Sequence, residues 1–293
     1  TGMGGAFTSI ADDATAMYWN PAGLGFYNTK EVYFNHSNWI ADISFDYFGF
    51  TVPINTKSVL GLNITSVTMD DMEVTRYGNE ETGETFNASD YAFGSTYSIN
   101  LTDRFSVGFN GKYIQQTISN SYAKGFALDI GTLFMTPFGF KLGTSISNFG
   151  QKLKMTGDDL LIGADVDENM DGNNESVTSV LSTDYFDLPL VLRIGLSSEL
   201  GLGVSNQFVW SLDAISPNDN NNYINAGVCL HLSDKLLSFY AGYSSLFLEN
   251  KERELAIGIS LKIPKVLNNS LKIYYSYETM KFLGNNQQLA ISL

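Results

Sequence analysis

The residues best suited to bind a metal ion lie in one acidic stretch of the chain. Asp167, Asn169 and Asp171 occupy alternate positions and Gly172 follows them, which matches the first half of a calcium-binding loop. The full EF-hand pattern is not met, because Thr178 stands where the bidentate Glu is needed. Two hypotheses therefore stay open for this stretch: a Ca²⁺ site that works without that Glu, and an acidic loop that binds no ion.

Side chains that could catalyse a reaction are few and scattered. His36 and His231 fall in different predicted strands, so each is better explained as a structural residue than as a general base or metal ligand. Cys229 is the single cysteine, and a reactive thiol would need an electropositive neighbour that the sequence does not show. No Gly-x-Ser-x-Gly elbow, His-Glu-x-x-His pair or phosphate-binding loop is present. We predict no enzyme activity and, apart from the Ca²⁺ hypothesis, no cofactor.

Composition excludes several classes of protein. The formal net charge is −14 and no run of Lys or Arg occurs, so a surface that binds nucleic acid is not expected. One cysteine cannot form an internal disulfide or a thiolate metal cluster. The hydrophobic fraction of 44% is too high for a disordered acidic chain. No stretch approaches the roughly 18 uninterrupted apolar residues of a transmembrane helix.

Apolar residues alternate with small or polar ones along most of the chain after residue 30. Ile257, Ile259 and Leu261, for example, alternate with Gly258 and Ser260. A period of two residues indicates strands with one dry face, and about 14 such segments can be counted. They fall at about residues 31–40, 43–53, 58–69, 89–100, 104–117, 124–135, 139–148, 188–199, 206–215, 222–232, 237–245, 253–263, 270–278 and 286–293.

The number and connection of these strands favour a membrane barrel. An even number of antiparallel strands is what a closed outer-membrane barrel needs. Short turns alternate with longer connections, of which about 70–88 and 149–187 are very long. We therefore predict an all-β fold, a 14-stranded antiparallel transmembrane β-barrel. A soluble β-sandwich or lipocalin-like barrel is the alternative, because alternation alone shows only that one face is dry.

The polar face of the predicted strands mixes Gly, Ser and Asn with sparse charges, which suits a crowded polar lumen. Four of those charges are Lys112, Asp129, Arg193 and Asp213. They could line a transport path, and ion pairing that holds a plug inside the barrel explains them equally well. In such a barrel His36 and His231 would face the lumen or the interfacial girdle, and Cys229 would face the lumen.

Residues 1–30 break the strand pattern. Four apolar residues in this segment have helical spacing: Ala6, Ile10, Ala14 and Met17. Asn20 and Pro21 supply a capping residue and a first-turn proline, which predict the start of a second short helix. Asp12 and Asp13 could form a carboxylate pair, but helix capping and salt bridges to a barrel wall explain them more simply. We predict two parts, an N-terminal segment of residues 1–30 that either packs inside the barrel or lies beside it, and a barrel of residues 31–293; the resemblance described next implies that the N-terminal segment is a hatch.

The opening of the chain resembles a known family. The segments Gly4–Phe7, Ala11–Asp13 and Trp19–Leu24 are similar to the start of the PorV/PorQ family of outer-membrane proteins, a branch of the FadL-like superfamily of 14-stranded barrels. Ile146–Gly150 and Leu188–Leu190 are similar to the family pattern as well, so the resemblance covers nearly the whole chain.

The resemblance implies a location and a function. It implies an integral barrel in the outer membrane of a Gram-negative bacterium, in contact with lipid, whose hatch motif plugs the lumen. The residues of that motif here are Gly4, Gly5, Asp12, Asp13, Trp19, Asn20, Pro21, Ala22 and Gly23. The best-known members serve type IX secretion by receiving or shuttling cargo with a C-terminal signal domain, which implies a protein partner. FadL itself takes up long-chain fatty acids, so uptake of a hydrophobic ligand is the alternative function.

The two long loops carry much of the negative charge. The loop at about 149–187 contains nine acids and the loop at about 70–90 contains seven, which together make 16 of the 31 in the chain. Extracellular loops of this kind would present an acidic docking surface, although solvation and repulsion of like surfaces also explain the charge. Docking predicts a sealed lumen and an exposed apolar patch on the loops, whereas uptake predicts an apolar pocket that leads from the loops toward Phe7, Ile10, Met17 and Trp19.

Overall fold

The computed structural model describes residues 1–40, 43–78, 82–165, 177–266 and 269–293. Within these ranges, fourteen long strands form one closed antiparallel sheet in which each strand pairs with its neighbours along the chain. The ring closes where the first strand pairs with the last, with Tyr33 opposite Ser292 and Asn38 opposite Gln287. The strands are Glu31–Asn38, Ser44–Pro53, Ser58–Thr68, Ala88–Thr102, Phe105–Ile118, Ser121–Met135, Phe140–Gly150, Val191–Gly201, Gln207–Pro217, Tyr223–Leu232, Leu237–Leu246, Arg253–Val266, Asn269–Met280 and Asn285–Ser292.

The two faces of the wall have the opposite polarity to those of a soluble barrel. The outer face carries exposed apolar side chains, such as Leu62 and Phe126. The inner face buries polar ones, such as Ser98, Asn110 and Asp213. An outward apolar band around a polar interior is the arrangement of a transmembrane barrel, because lipid surrounds the wall. The predicted 14-stranded barrel is confirmed, and the soluble sandwich or lipocalin-like alternative is wrong.

The connections separate into two sides. On the short-turn side, consecutive strands are joined by residues 54–57, 103–104, 136–139, 202–206 and 233–236. On the long-loop side, the connections 69–87 and 151–190 contain small antiparallel pairs of their own. These pairs are Met72–Glu73 with Thr85–Phe86, Leu153–Lys154 with Tyr185–Phe186, and Leu161–Ala164 with Val177–Val180. Thr156–Gly157 adds a short pairing to the strand Ser121–Met135, and a 3₁₀ turn spans Asp158–Leu160.

Residues 1–30 lie inside the barrel and contain two short helices, Ala16–Trp19 and Gly23–Tyr27. Among the described residues, no helix is long and apolar enough to cross a membrane. The segment packs on the inner wall through a cluster that includes Met17 and Leu24 from the hatch and Tyr47 and Val59 from the strands.

The helix predicted from the spacing of Ala6, Ile10, Ala14 and Met17 is wrong over most of its length. The four residues are buried as expected, but intervening residues such as Thr8 and Ser9 are buried too, so burial does not follow one helical face. A segment packed against a barrel wall can satisfy its backbone through wall side chains and does not need a helix.

The second helix begins later than predicted, since Ala22 precedes its first residue, Gly23. The side-chain oxygen of Asn20 accepts the Ala22 N–H at 3.2 Å, as a capping residue does, while its amide nitrogen donates to the carbonyl oxygens of Thr8 (2.8 Å) and Thr132 (3.0 Å).

Candidate functional site

Asp213 holds the first part of the hatch against the wall. It lies on the strand Gln207–Pro217, is fully buried, and its Oδ2 accepts hydrogen bonds from the backbone N–H groups of Phe7 (2.9 Å) and Thr8 (2.8 Å). Its Oδ1 accepts a bond from the Ser211 hydroxyl at 3.3 Å. Hydrogen bonds to a carboxylate are stronger than bonds between neutral groups, so this contact fixes a loop that has no regular structure.

Lys112 and Asp129 pair inside the barrel, with Nζ 2.7 Å from Oδ1 and both side chains largely shielded from solvent. Asp129 also accepts bonds from the side-chain amide of Asn110 (3.0 Å) and the backbone N–H of Asn148 (2.7 Å). Asn110 in turn donates to the carbonyl oxygen of Met17 at 3.3 Å. The pair therefore belongs to a network that reaches the hatch.

Arg193 contacts the hatch through an aromatic ring. Its guanidinium lies 5.7 Å from the centre of the Trp19 ring, and its Nη1 donates to Ser147 Oγ at 2.8 Å. Its Nε is buried, and no hydrogen-bond partner for it occurs among the described residues. All four predicted lumen charges thus lie inside the barrel, and each contacts the hatch directly or through a hydrogen-bond network.

The Asn20–Ala22 segment lies in close contact with the inner wall. Besides the two bonds from the Asn20 amide, the carbonyl oxygen of Ala22 accepts bonds from the hydroxyls of Ser106 (2.7 Å) and Ser98 (3.3 Å). Just before it, the Trp19 carbonyl accepts a bond from Ser145 at 2.8 Å. Strands on one half of the barrel therefore bind this part of the hatch motif through its backbone.

Six glycines of the inner wall complete the seat of the hatch, and the sequence analysis missed them. A Cβ on any of them would come within 2.1–2.5 Å of a hatch atom, which no real contact allows. They are Gly61, Gly108, Gly131, Gly143, Gly227 and Gly242. Their signal in the sequence was glycine at inward positions of many strands, but only the fold shows that these positions face the hatch. Gly4 of the hatch, with φ of 61°, approaches the wall backbone just as closely. A Cβ added to Gly4 would lie 2.7 Å from the backbone nitrogen of Tyr243.

The two hatch carboxylates have separate partners. Asp12 forms an ion pair with Lys235 on the short-turn side, 3.4 Å apart and half exposed. Asp13 accepts bonds from the N–H (2.8 Å) and hydroxyl (2.5 Å) of Thr15. Burial raises the pKa of Asp13 to about 7, and the nearby Glu31 carboxylate adds to the rise. Glu31 itself accepts the N–H of Ala14 at 2.7 Å, so the wall binds the hatch backbone here as well.

A cavity of about 800 Å³ lies between the hatch and the wall around the first and last strands. Phe7, Ile10 and Trp19 line it from the hatch, and Tyr33 and Tyr274 line it from the wall. Met17, which the uptake hypothesis also placed there, is fully buried against the wall and does not line it.

The short-turn end of this cavity is basic. Lys141 and Lys235 line it and pair with Glu199 (2.5 Å) and Asp12. Lys262 and Lys272 stand directly opposite each other on adjacent strands and also line it. Neither of these two has an ion-pair partner in the part of the chain that the structure describes. Like charges in register weaken a sheet slightly, so packing of the wall does not explain this lysine pair.

The histidines and the cysteine occupy different surroundings. His36 lies on the outer face of its strand and its Nδ1 is 2.7 Å from Asp46 Oδ1, which agrees with the girdle hypothesis. Cys229 is buried inside the barrel within 3.6 Å of the His231 ring, and His231 Nδ1 bonds to Ser238 Oγ at 2.7 Å.

The calcium hypothesis concerns residues that the structure does not describe, and it stays a prediction. Within the described ranges, no group of three or more His, Cys, Asp or Glu side chains is placed to hold a metal ion. The proposed Ca²⁺ ligands Asp167, Asn169 and Asp171 lie outside the described residues.

The long-loop side exposes apolar side chains. Tyr185 and Val180 are about two-thirds exposed, and Leu161, Val177 and Leu181 are exposed as well. Two ion pairs of the long loops, Arg76–Glu84 and Lys152–Asp187, are themselves open to solvent.

The chain is similar to one family and to several solved barrels. The family model described as type IX secretion system protein PorV matches residues 1–160. No curated protein sequence matches.

Solved structures match over nearly the full length. A Pseudomonas aeruginosa FadL homologue is 13% identical, with a TM-score of 0.61 over 99% of this chain and 95% of that one. The Ralstonia pickettii toluene transporter TbuX is 11% identical, with a TM-score of 0.62 over the same shares of the two chains. The Pseudomonas putida toluene transporter TodX is 10% identical, with a TM-score of 0.61 and again 99% and 95% covered. At these identities the structures show the shared fold. None of these descriptions names a catalytic activity.

Proposed function

Because this chain belongs to the PorV family of type IX secretion system proteins, we propose that it is a non-enzymatic anchor whose long-loop side docks a partner of that system. The protein is an integral outer-membrane β-barrel, so its wall contacts lipid and its two sides face different compartments. The partner is a component of the secretion complex or a cargo protein that passes through it.

The observation that carries this proposal is the exposed apolar surface of the long loops. Large exposed apolar patches on loops mark interaction sites, because single scattered apolar residues are normal but contiguous ones are not. Leu161, Val177, Val180 and Leu181 belong to one hairpin, and Tyr185 follows a few residues later. Between residues 158 and 187 the chain has nine acids and no Lys or Arg, which favours a basic partner.

The hatch supports the same role because it is held by the wall at many points. Asp213, Glu31 and Ser106 all bind its backbone, and glycines on the wall fit closely around it. A fixed plug suits an anchor that keeps the membrane closed while its loops bind a protein.

Mild-detergent purification from the native outer membrane tests the docking role. We expect the intact protein to recover secretion-system components or cargo, identified by mass spectrometry. A variant with a Gly-Ser linker in place of residues 158–187 should lose them, while a linker in place of 70–87 provides a loop-replacement control. Equal recovery with the 158–187 linker, in a barrel that still folds, contradicts docking through this loop.

FadL-like uptake is a second candidate, and the cavity beside the hatch favours it. The cavity is lined by Phe7, Ile10 and Trp19, three of the four hatch residues that this hypothesis named. Uptake predicts that the purified barrel retains a hydrophobic ligand, which lipid mass spectrometry of the same preparation would detect. Replacement of Tyr274 by Trp would narrow the cavity and should reduce the retained amount.

A further inference from the structure

The hairpin Leu161–Ala164/Val177–Val180, called here the loop hairpin, stands apart from the barrel. Leu161 pairs with Val180 and Ala164 with Val177, and the Leu181 N–H extends the pairing to the Leu160 carbonyl at 2.8 Å. Among the described residues, neither strand pairs with a third strand or packs substantially on the wall. Both long edges of this two-stranded sheet are therefore open.

An isolated hairpin of this kind is marginally stable in water, because stability usually requires a third strand or a packed face. The loop hairpin instead exposes apolar residues on both of its faces, since Leu161 and Val180 lie exposed on one face and Ile162 and Val177, both about 40% exposed, lie on the other. An exposed apolar edge strand is a template for pairing with another chain. A further strand added to the loop hairpin would therefore supply the backbone pairing and the apolar contacts that it lacks.

The charge around the loop hairpin indicates what that strand carries. The residues from 158 to 187 have nine acids and no base. Two of these acids, Asp159 and Asp187, are already bound to Asn120 and Lys152. The sequence nevertheless leaves a large excess of negative charge, which attracts a cationic strand and repels an anionic one.

We propose that the loop hairpin binds an extended strand of a partner protein by adding it to one open edge, and that Lys or Arg residues flank the apolar part of that strand. Main-chain hydrogen bonds then supply affinity, and the acidic surroundings select the partner. This inference rests on the proposed docking function and specifies its partner chemistry.

Binding of short synthetic peptides to the full barrel in nanodiscs tests the proposal. The probe is a peptide of alternating Val and Thr with Lys at both ends. One control peptide carries Glu at the ends, and a second carries N-methyl groups along one backbone edge, which removes its main-chain donors there. We expect each control peptide to bind at least about tenfold more weakly by fluorescence anisotropy, a difference of roughly 1.4 kcal/mol. Equal binding of the three peptides overturns strand addition.

Variants of the loop hairpin separate strand addition from a nonspecific acidic attraction. Thr178→Pro removes a backbone donor inside the hairpin, and Ser182→Pro places the same residue just outside it. We expect Thr178→Pro to weaken binding of the Lys peptide about tenfold. Ser182→Pro should change the affinity for this peptide less than twofold. Val180→Thr keeps a β-branched residue but removes apolar surface, and should weaken binding a few-fold without loss of fold. Unchanged binding in both Thr178→Pro and Val180→Thr contradicts the proposal.

Self-association is the competing outcome. If light scattering shows that the barrel dimerises and Thr178→Pro abolishes the dimer while the Lys peptide does not bind, the occupant is a second copy and the proposal is wrong. If the 158–187 linker variant loses native partners but the Lys peptide does not bind, docking stands and strand addition fails.

Discussion

Neither the hatch nor the long loops form part of the barrel wall, and the two satisfy their polar and apolar groups in opposite ways. The hatch has its backbone bound by wall side chains such as Asp213 and Glu31, and apolar residues such as Met17 and Leu24 are fully buried. The loops have exposed ion pairs such as Arg76–Glu84 and leave apolar residues such as Val180 in water. The hatch is therefore satisfied by contacts within this chain, whereas the loops keep exposed apolar side chains, as the docking proposal requires.

Removal of the Asp213 carboxylate should have the largest effect on the hatch. Asp213→Ala leaves the N–H groups of Phe7 and Thr8 buried without an acceptor, at a cost of about 1–3 kcal/mol for each. We expect protease cleavage within residues 1–30 and higher conductance in planar bilayers. Asp213→Asn retains a carbonyl acceptor and should recover part of the loss. Wild-type conductance and protease resistance in Asp213→Ala would show that the hatch does not depend on this anchor.

A methyl group added to the inner wall should displace the hatch somewhat less than the loss of the Asp213 carboxylate does. The Cβ of Gly108→Ala would lie 2.2 Å from the Pro21 carbonyl carbon, and backbone on both sides must shift. Overpacking of this kind costs about 1–3 kcal/mol. Gly111→Ala on the same strand is the matched control, because its Cβ has nothing within 4 Å. Urea unfolding in lipid vesicles measures both, and equal stability of the two variants would contradict the close fit.

The pH dependence of hatch seating should be moderate in size. The pKa of Asp13 is raised to about 7 in the seated hatch, while a solvated Asp has a pKa near 4. Between these values the seated hatch binds a proton that a displaced hatch releases, so the seat weakens as pH rises from about 4 to about 7. The carboxylates of Glu31 and Asp12 act in the same direction, because they repel the ionised form.

A fluorophore on the hatch can follow this seating from pH 4 to pH 8. Asp13→Asn should make the signal independent of pH over this range, at the level that the parent protein shows in acid. A parent protein whose hatch seats more firmly as pH rises would have the opposite sign and would disprove the assignment to Asp13.

Sequence patterns predicted the wall far better than the hatch seat. All fourteen strands lie within three residues of their predicted ends, because a two-residue period with one lipid face is a strong local signal. The burial of Ala6, Ile10, Ala14 and Met17 was predicted, but a helix forms only at Ala16–Trp19, since the spacing of buried residues cannot distinguish a helix face from an irregular segment packed on a wall. The partners of Asp213 and Gly108 lie about 200 and 90 residues away in the chain, and only closure of the barrel brings them together.

The smallest change in stability should come from a substitution in the loops. It tests the contrast between the hatch and the loops directly. Val180→Thr changes a side chain that water already surrounds, so the unfolding free energy should move by no more than about 0.5 kcal/mol. Val59→Thr makes the same change at a position 1% exposed, where it packs in the cluster that holds the hatch. A buried hydroxyl without a partner costs about 1–3 kcal/mol, so this variant should be clearly less stable in urea. Equal losses at the two positions would mean that the loop hairpin is already packed, and the loops would then be as complete within the chain as the hatch is.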